Sequence, residues 1–398
     1  MDLGRAVNVD DLRKLAKKRL PKIAFDFIEG GVEDEDGLTR NERAFRDKAL
    51  VPRYMVDVSK RDQTATLFGR TYASPFGISP TGLAALFRPG ADLMLAEAAR
   101  DANLPFVMSG TSTGSIEDLA RVAPEHGWYQ LYPARDRKIS EDMIRRARDA
   151  GLSTLVVTVD VPVGSKRERN LRNGFARPLR LSLATKLDAL RYPGWLAGYL
   201  KHGTPMFPNW APYAGPNADA ETVASFVAAQ TRATLTWSDI EDFRRLWPRN
   251  FVLKGIMHPD DARRAADLGV DGIVVSNHGA RQLDRAPAAL DVLPAIAAAV
   301  GDRVTLMLDS GVRRGADAVI ALCMGAKFVF LGRPTLYGAA AGGIPGVRRA
   351  LTILRDEVDL TLGQMGTPTL ADLGPHCLMW DRPEDLRRNA AGMLGAAE

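Results

Sequence analysis

From Phe76 onward the chain alternates short apolar runs with longer segments rich in Ala, Arg and Glu. The runs are Phe76–Gly82, Phe106–Gly110, Trp128–Pro133, Thr154–Asp160, Phe251–Gly255, Gly272–Asn277, Thr305–Gly311 and Phe328–Arg333. Their length and β-branched, aromatic content predict buried parallel strands. Between most of them the apolar positions fall at helical spacing, as in Asp92–Ala102, Ile116–Val122, Ser140–Ala150, Pro259–Leu268 and Ala316–Met324. Repeated strand–helix units of this kind predict an α/β fold, a (β/α)8 TIM barrel. A doubly wound sheet is the runner-up, but no Gly-x-Gly-x-x-Gly follows the first strand.

Before the barrel, Val9, Leu12, Leu15, Ala16, Leu20, Ile23, Phe27 and Ile28 keep helical spacing that is broken at Pro21 and stopped by Gly30-Gly31, predicting two short helices in series. A polar helix is expected over Glu35–Phe45 and a hairpin over Thr64–Tyr72, with Gly69 at its turn. The expected layout is a single domain over 1–398, with an N-terminal extension (1–73), a barrel (74–362) and a tail (363–398). The even spacing fails once, after the fourth strand, where about ninety residues precede Phe251 and an insertion is expected over 164–234. Within it, residues 177–216 mix Arg177, Arg180, Lys186, Arg191 and Lys201 with many leucines, Tyr192, Trp195 and Tyr199. That composition suits a lid or subunit contact and, equally, an interfacial membrane segment.

The chain has 398 residues, 46% hydrophobic and 25% charged, enough for a large core and unlike a disordered protein. A net charge of +5 over this length does not point to nucleic acid. Two cysteines exclude a disulfide framework or a cysteine metal site, and Cys323 sits in an apolar helical run that predicts a core thiol. No signal-peptide pattern and no membrane-length apolar run is present, so a reducing, cytoplasmic-side protein is expected.

In a barrel the chemistry sits at the C-terminal ends of the strands. Those ends read Pro80-Thr81-Gly82, Ser109, Gln130 with Tyr132, Thr158 with Asp160, Lys254, Ser276 with His278 and Arg281, Asp309 with Gly311 and Arg313, and Gly332-Arg333. His278 and Arg281 supply a base and a bidentate grip for a carboxylate. Asp160 can orient the imidazole, and Tyr132 can donate to a substrate oxygen. Gly311, Arg313, Gly332 and Arg333 fall where barrels bind phosphate, while Ser109, Gln130, Thr158 and Lys254 suit the edge of a planar heterocycle. Singly each has a structural explanation, such as a strand-end salt bridge for Lys254; their joint occurrence in order calls for a site.

These residues resemble the FMN-dependent L-2-hydroxy acid dehydrogenases and oxidases. The resemblance runs from about Leu12 to Leu362 and is most specific at Ser276-Asn277-His278-Gly279-Ala280-Arg281-Gln282-Leu283-Asp284. It implies an FMN cofactor and oxidation of a 2-hydroxy acid to the 2-oxo acid. His278 is then the base, held by Asp160. Arg281, Tyr132 and Arg167 meet the substrate, whether the proton taken is that of the hydroxyl or of the α-carbon. Pro80, Thr81, Gly82, Ser109, Gln130, Thr158, Lys254 and Ser276 surround the flavin ring, Asp309 the ribityl chain, and Gly311, Arg313, Gly332 and Arg333 the phosphate. A tetramer or octamer is implied as well.

Three departures bear on the substrate. Phe27 stands where most members carry a tyrosine for the substrate carboxylate, which predicts weak binding of small acids or a larger, apolar substrate. Gly82, where the oxidases commonly carry alanine, resembles the mandelate-type dehydrogenases and predicts room for bulk, as do Gly110 and Thr111. The 177–216 segment looks like the membrane-contacting insertion of those relatives, which directs electrons to a quinone. The competing readings are an oxidase that forms hydrogen peroxide from oxygen, an FMN barrel used for non-redox work, a lapsed barrel kept for binding, and a family member acting on a peptide-borne or amino substrate.

Overall fold

The computed structural model describes residues 2–175 and 182–379. Three helices come first: α1 (Val9–Arg19), α2 (Lys22–Glu29) and α3 (Asp36–Arg46). Asn8 caps α1 by accepting from the Asp11 amide, and the φ of Pro21 suits the start of α2 but ends α1. The hairpin pairs Ala65–Leu67 with Arg70–Tyr72.

Eight strands then close into a wholly parallel barrel: β1 (Phe76–Ile78), β2 (Phe106–Met108), β3 (Gly127–Leu131), β4 (Thr154–Thr158), β5 (Asn250–Ile256), β6 (Gly272–Val275), β7 (Thr305–Leu308) and β8 (Phe328–Leu331). Each pairs with the next, and β8 returns to β1 through Val329 opposite Phe76. The surrounding helices are α4 (Ala91–Asp101), α5 (Ile116–Val122), α6 (Arg137–Asp149), then α7 (Glu168–Arg172), α8 (Leu183–Leu190), α9 (Pro193–His202), α10 (Ala220–Ala229) and α11 (Trp237–Leu246) before β5. After it come α12 (Pro259–Asp267), α13 (Ala289–Val300), α14 (Gly315–Cys323), α15 (Arg333–Gly342) and α16 (Ile344–Met365). The expected barrel, N-terminal extension and insertion are all present, although the ladders end two to four residues before the apolar runs do at β1, β4 and β7.

The two faces of each strand explain the architecture. Outward residues pack against the helices. Inward residues at the N-terminal half form an apolar plug of Val107, Trp128, Val156, Val252, Val274, Met307, Phe328 and Phe330, stoppered by Ala65, Leu67 and Tyr72 of the hairpin. Gly272 has no side chain because Phe68 and Met307 fill its place. Side chains alternate with a period of two, so the same inward face continues from Val107 to Ser109, Trp128 to Gln130, Val156 to Thr158, Val252 to Lys254, Val274 to Ser276 and Met307 to Asp309. Those six polar side chains are all buried. One inward face is therefore apolar at one end of the barrel and polar at the other.

Candidate active site

The loop after β6 carries His278, the expected base. His278, Gly279 and Ala280 have φ of 58°, 63° and 57°, a left-handed run disfavoured for the two non-glycine residues. Small polar side chains hold it: Ser276 Oγ accepts from the His278 amide at 3.0 Å, Asn277 Oδ1 from the Ala280 amide at 3.2 Å, and Ser310 Oγ from the Gly279 amide at 2.9 Å. Asn277 is itself locked to Asn41 of α3 by reciprocal amide bonds of 2.9 and 2.7 Å. The N-terminal extension thus secures the catalytic-face loops.

His278 Nδ1 lies 3.0 Å from Asp160 Oδ1, and its Nε2 lies 3.4 Å from the Tyr132 hydroxyl. Donation from Nδ1 to the carboxylate leaves the Nε2 lone pair for a proton. Burial lowers the His278 pKa below the ordinary imidazole value, and the Asp160 carboxylate opposes that shift. Gly255 makes this approach possible, since a Cβ there would stand 2.5 Å from Asp160 Cβ.

At the bottom of the site Lys254 Nζ donates to Ser276 Oγ at 2.8 Å and pairs with Asp309 Oδ2 at 3.0 Å. Burial works against the Lys254 ammonium, but Asp309 and Asp160 outweigh it and raise its pKa. Asp309 also accepts from Ser79 Oγ at 2.8 Å and Ser310 Oγ at 2.9 Å. Ser79 was not picked out from the sequence, although it lies two residues before Thr81 on the same inward alternation. Gln130 Nε2 donates to Thr158 Oγ1 at 2.6 Å, and Ser109 Oγ lies 3.2 Å from Thr111 Oγ1.

Arg281, Arg167 and Arg333 have no carboxylate partner within 4.0 Å among the described residues. Arg281 donates to the carbonyls of Phe27 and Gly30 at 2.9 and 2.8 Å, at the C-terminal end of α2, and its guanidinium carbon lies 5.0 Å from the Phe27 ring centroid. Arg333, expected at a phosphate, donates to Ile28, Gly30 and Gly279 carbonyls at 2.9, 2.9 and 3.1 Å. Arg167 is tied to Gln282 Oε1 at 2.9 Å. Burial together with Arg167 and Arg333 pushes the Arg281 pKa well down, and burial with Arg313 brings Arg333 to about 10. Guanidiniums weakened by burial and mutual repulsion make a site that favours an anion.

A cavity of about 820 Å³ joins these groups, lined among others by Pro80, Thr81, Gly82, Tyr132, Thr158, Arg167, Lys254, His278, Arg281, Asp309, Gly311, Arg313, Gly332 and Arg333. Ser109, Gln130 and Ser276 stand behind that lining. The FMN implied by the resemblance fits it. The cavity exceeds the ~300 Å³ at the lower end for ligand sites, and the buried Thr81 Oγ1 has no protein partner. Gly332 caps α15 without a side-chain cap bond, and a Cβ there would meet nothing nearer than Thr81 Cγ2 at 3.9 Å. An uncapped helix N-terminus beside Arg313 is a natural phosphate seat.

The space expected at Gly82, Gly110 and Thr111 is already filled. A Cβ on Gly82 would overlap Thr111 Oγ1, and one on Gly110 would stand 2.8 Å from Gln130 O. The apolar volume lies instead beside α2, where Phe27 has Phe87 and Phe175 at ring-centroid distances of 6.0 and 5.2 Å. The insertion reaches the site too: Phe207, Trp210, Thr231, Arg232 and Ala233 line the same cavity. None of these was legible as a site residue, because nothing in local spacing shows where an insertion returns. Arg177 and Arg180 lie outside the described residues.

Comparison with known proteins agrees with the geometry. The model of the FMN-dependent dehydrogenase family matches residues 16–380. The (S)-mandelate dehydrogenase of Pseudomonas putida is 42% identical over 371 residues, 93% of each chain. A putative L-lactate dehydrogenase of Mycobacterium tuberculosis is 40% identical over 374 residues, 94% of this chain and 89% of that one. A solved structure of the monotopic membrane protein (S)-mandelate dehydrogenase superposes with a TM-score of 0.91 at 41% identity, covering 94% of this chain and 99% of that one. With the barrel, the strand-end residues and these matches in agreement, the chain belongs to the FMN-dependent dehydrogenase family and is an enzyme that oxidises 2-hydroxy acids.

Proposed function

We propose that the substrate is an L-2-hydroxy acid with an aromatic or medium-sized 2-substituent, and that a quinone or similar carrier, not oxygen, collects the electrons. The observation that carries this reading is that His278, held from behind by Asp160, faces a chamber walled by Phe27, Phe87 and Phe175 together with Arg281 and Arg167, which have no carboxylate partner among the described residues. Arg281 and Arg167 hold the substrate carboxylate, and Tyr132 donates to a substrate oxygen. His278 Nε2 takes the proton, and Asp160 then stabilises the imidazolium. Lys254, fixed by Asp309 and Ser276, offers positive charge to the flavin edge, with Thr81, Ser109, Gln130 and Thr158 around the ring. Gly311, Arg313, Arg333 and the Gly332 end of α15 hold the phosphate, and Arg333 also braces α2. FMN, when bound, accepts the two electrons as the hydroxy acid becomes the 2-oxo acid. Turnover of a panel from lactate to (S)-mandelate with a soluble dye tests the reading: kcat/KM rises with the size of the 2-substituent. A preference for lactate or glycolate overturns it.

The surface of α8 and α9 supports peripheral membrane contact. Leu183, Leu187, Leu190 and Leu200 are 73%, 54%, 62% and 75% exposed, and Lys186, Arg191 and Lys201 stand exposed among them. Basic residues beside exposed leucines suit an anionic lipid surface. No helix among the described residues is long and apolar enough to cross a membrane. Replacing the four leucines by serine releases the protein from anionic vesicles while dye-coupled activity persists; a variant that still sediments with vesicles contradicts the contact.

A further inference from the structure

The insertion does more than expose leucines. Residues 205–216 return over the barrel mouth and fasten to the loop between β2 and α5. Asn209, fully buried, accepts from the Ile116 amide at 3.0 Å and donates to Gly114 O at 3.2 Å. Next to it Trp210, 2% exposed, donates from Nε1 to Gly110 O at 2.7 Å. The other side of that loop faces the site. The Gly110 amide donates to Gln130 Oε1 at 3.2 Å, and a Cβ on Gly110 would stand 3.0 Å from Tyr132 Cδ2. Thr111 O accepts from the amide of Leu83, a left-handed residue at φ 58°, and the Thr111 hydroxyl fills the space over Gly82. Trp210, Thr111, Gly82 and Tyr132 all line the cavity.

We propose that Trp210 is a positioning residue: by anchoring Gly110 it presses Thr111 onto Gly82 and so fixes the width of the substrate chamber between Gly82 and Tyr132. The insertion thereby selects the 2-substituent, and Gly82 is obligatory because of Thr111. The selectivity half of this rests on the proposed substrate class; the mechanical half does not.

The test is a set of mutant cycles in the FMN-loaded enzyme. The readouts are dissociation constants for benzoate and acetate from the flavin difference spectrum, the KM and kcat for lactate and (S)-mandelate, and Tm. Gly82→Ala weakens benzoate about tenfold, since the added methyl displaces Thr111. Adding Thr111→Gly restores most of that loss, whereas adding Thr111→Val, which keeps the volume, does not. Trp210→Phe keeps a ring but removes the donor. It loosens the loop and couples to Gly82→Ala by roughly 2- to 10-fold although the two side chains do not touch. Alone it shifts the ratio of mandelate to lactate KM by about threefold or more, with kcat for lactate little changed. Additive effects of Trp210→Phe and Gly82→Ala, or a lowered Tm with an unchanged KM ratio, overturn the proposal. If neither hydroxy acid reduces the flavin, the proposed substrate class fails, while the benzoate and acetate constants still decide the coupling.

Discussion

The two ends of the barrel interior are built from the same alternating residues of the same strands, yet they do opposite work. At the N-terminal end Trp128, Phe328 and Val252 bury apolar surface and fill the barrel. Two residues further along, Gln130, Thr158, Lys254 and Asp309 are just as buried but are held by hydrogen bonds and an ion pair among themselves and with Ser79, Ser276, Ser310 and the Gly110 amide. The first end contributes stability, and the second places charge and hydrogen-bonding groups that the fold alone does not need. The lesson is that burial alone does not mark a core: what distinguishes the site is buried polarity continued in register from an apolar plug.

The sharpest separation of the two ends comes from His278→Asn, which removes the base but little packing. It lowers kcat by roughly 10²–10⁴-fold, while Tm and benzoate binding change little; a comparable loss of stability would blur the comparison. At the opposite end Phe328→Ala costs about 3–5 kcal/mol, measured by denaturant unfolding, with kcat per folded molecule preserved. Lys254→Met is the variant that breaks the division. It leaves Asp309 buried without its partner, so it destabilises by about 3–5 kcal/mol and also lowers FMN affinity in a fluorescence titration.

The pH profile gives a smaller effect. Because burial holds His278 below the ordinary imidazole value, the neutral base persists to lower pH, and kcat/KM is flat above about pH 6.5. It falls as pH drops through the depressed pKa. Asp160→Asn removes the opposing charge and moves that inflection lower still, while reducing the plateau. The smallest change expected is from Phe27→Tyr, which adds one hydroxyl near Arg281; a hydrogen bond to a charged group is worth about 1.5–3 kcal/mol. It tightens lactate more than mandelate in KM, and an unchanged KM for every acid would make Phe27 a packing residue only.

Much of this was legible from the sequence because period and position carry it. Strand runs with polar ends revealed the barrel and most of the residues that meet around the cavity, and Ser276 to Asp284 pointed to His278 as the candidate base. The strand ends were read too long because the inward alternation continues, in polar residues, after the ladder stops, as beyond Ile78 and Thr158. The bracing of α2 by Arg333 was not legible, because an arginine opening a helix after the last strand says nothing about nearby carbonyls. Its Nε and Nη2 donate to the carbonyls of Ile28, Gly30 and Gly279. Gly82 and Gly110 read as open space, whereas Thr111 and Gln130 fill it. Composition could not divide the insertion into an exposed leucine half and a clamped half holding Asn209 and Trp210, since that division exists only in tertiary contacts.

The central claim is that the polar end of the barrel oxidises 2-hydroxy acids on FMN through His278. The most direct test is the visible spectrum of the purified protein under anaerobic conditions, before and after addition of L-2-hydroxy acids from lactate to mandelate. The account predicts a flavin spectrum that a bulky acid bleaches, that stays oxidised in His278→Asn, and that recovers slowly in air but quickly with a quinone. A flavin that no hydroxy acid reduces, or one bleached equally well without His278, would contradict it.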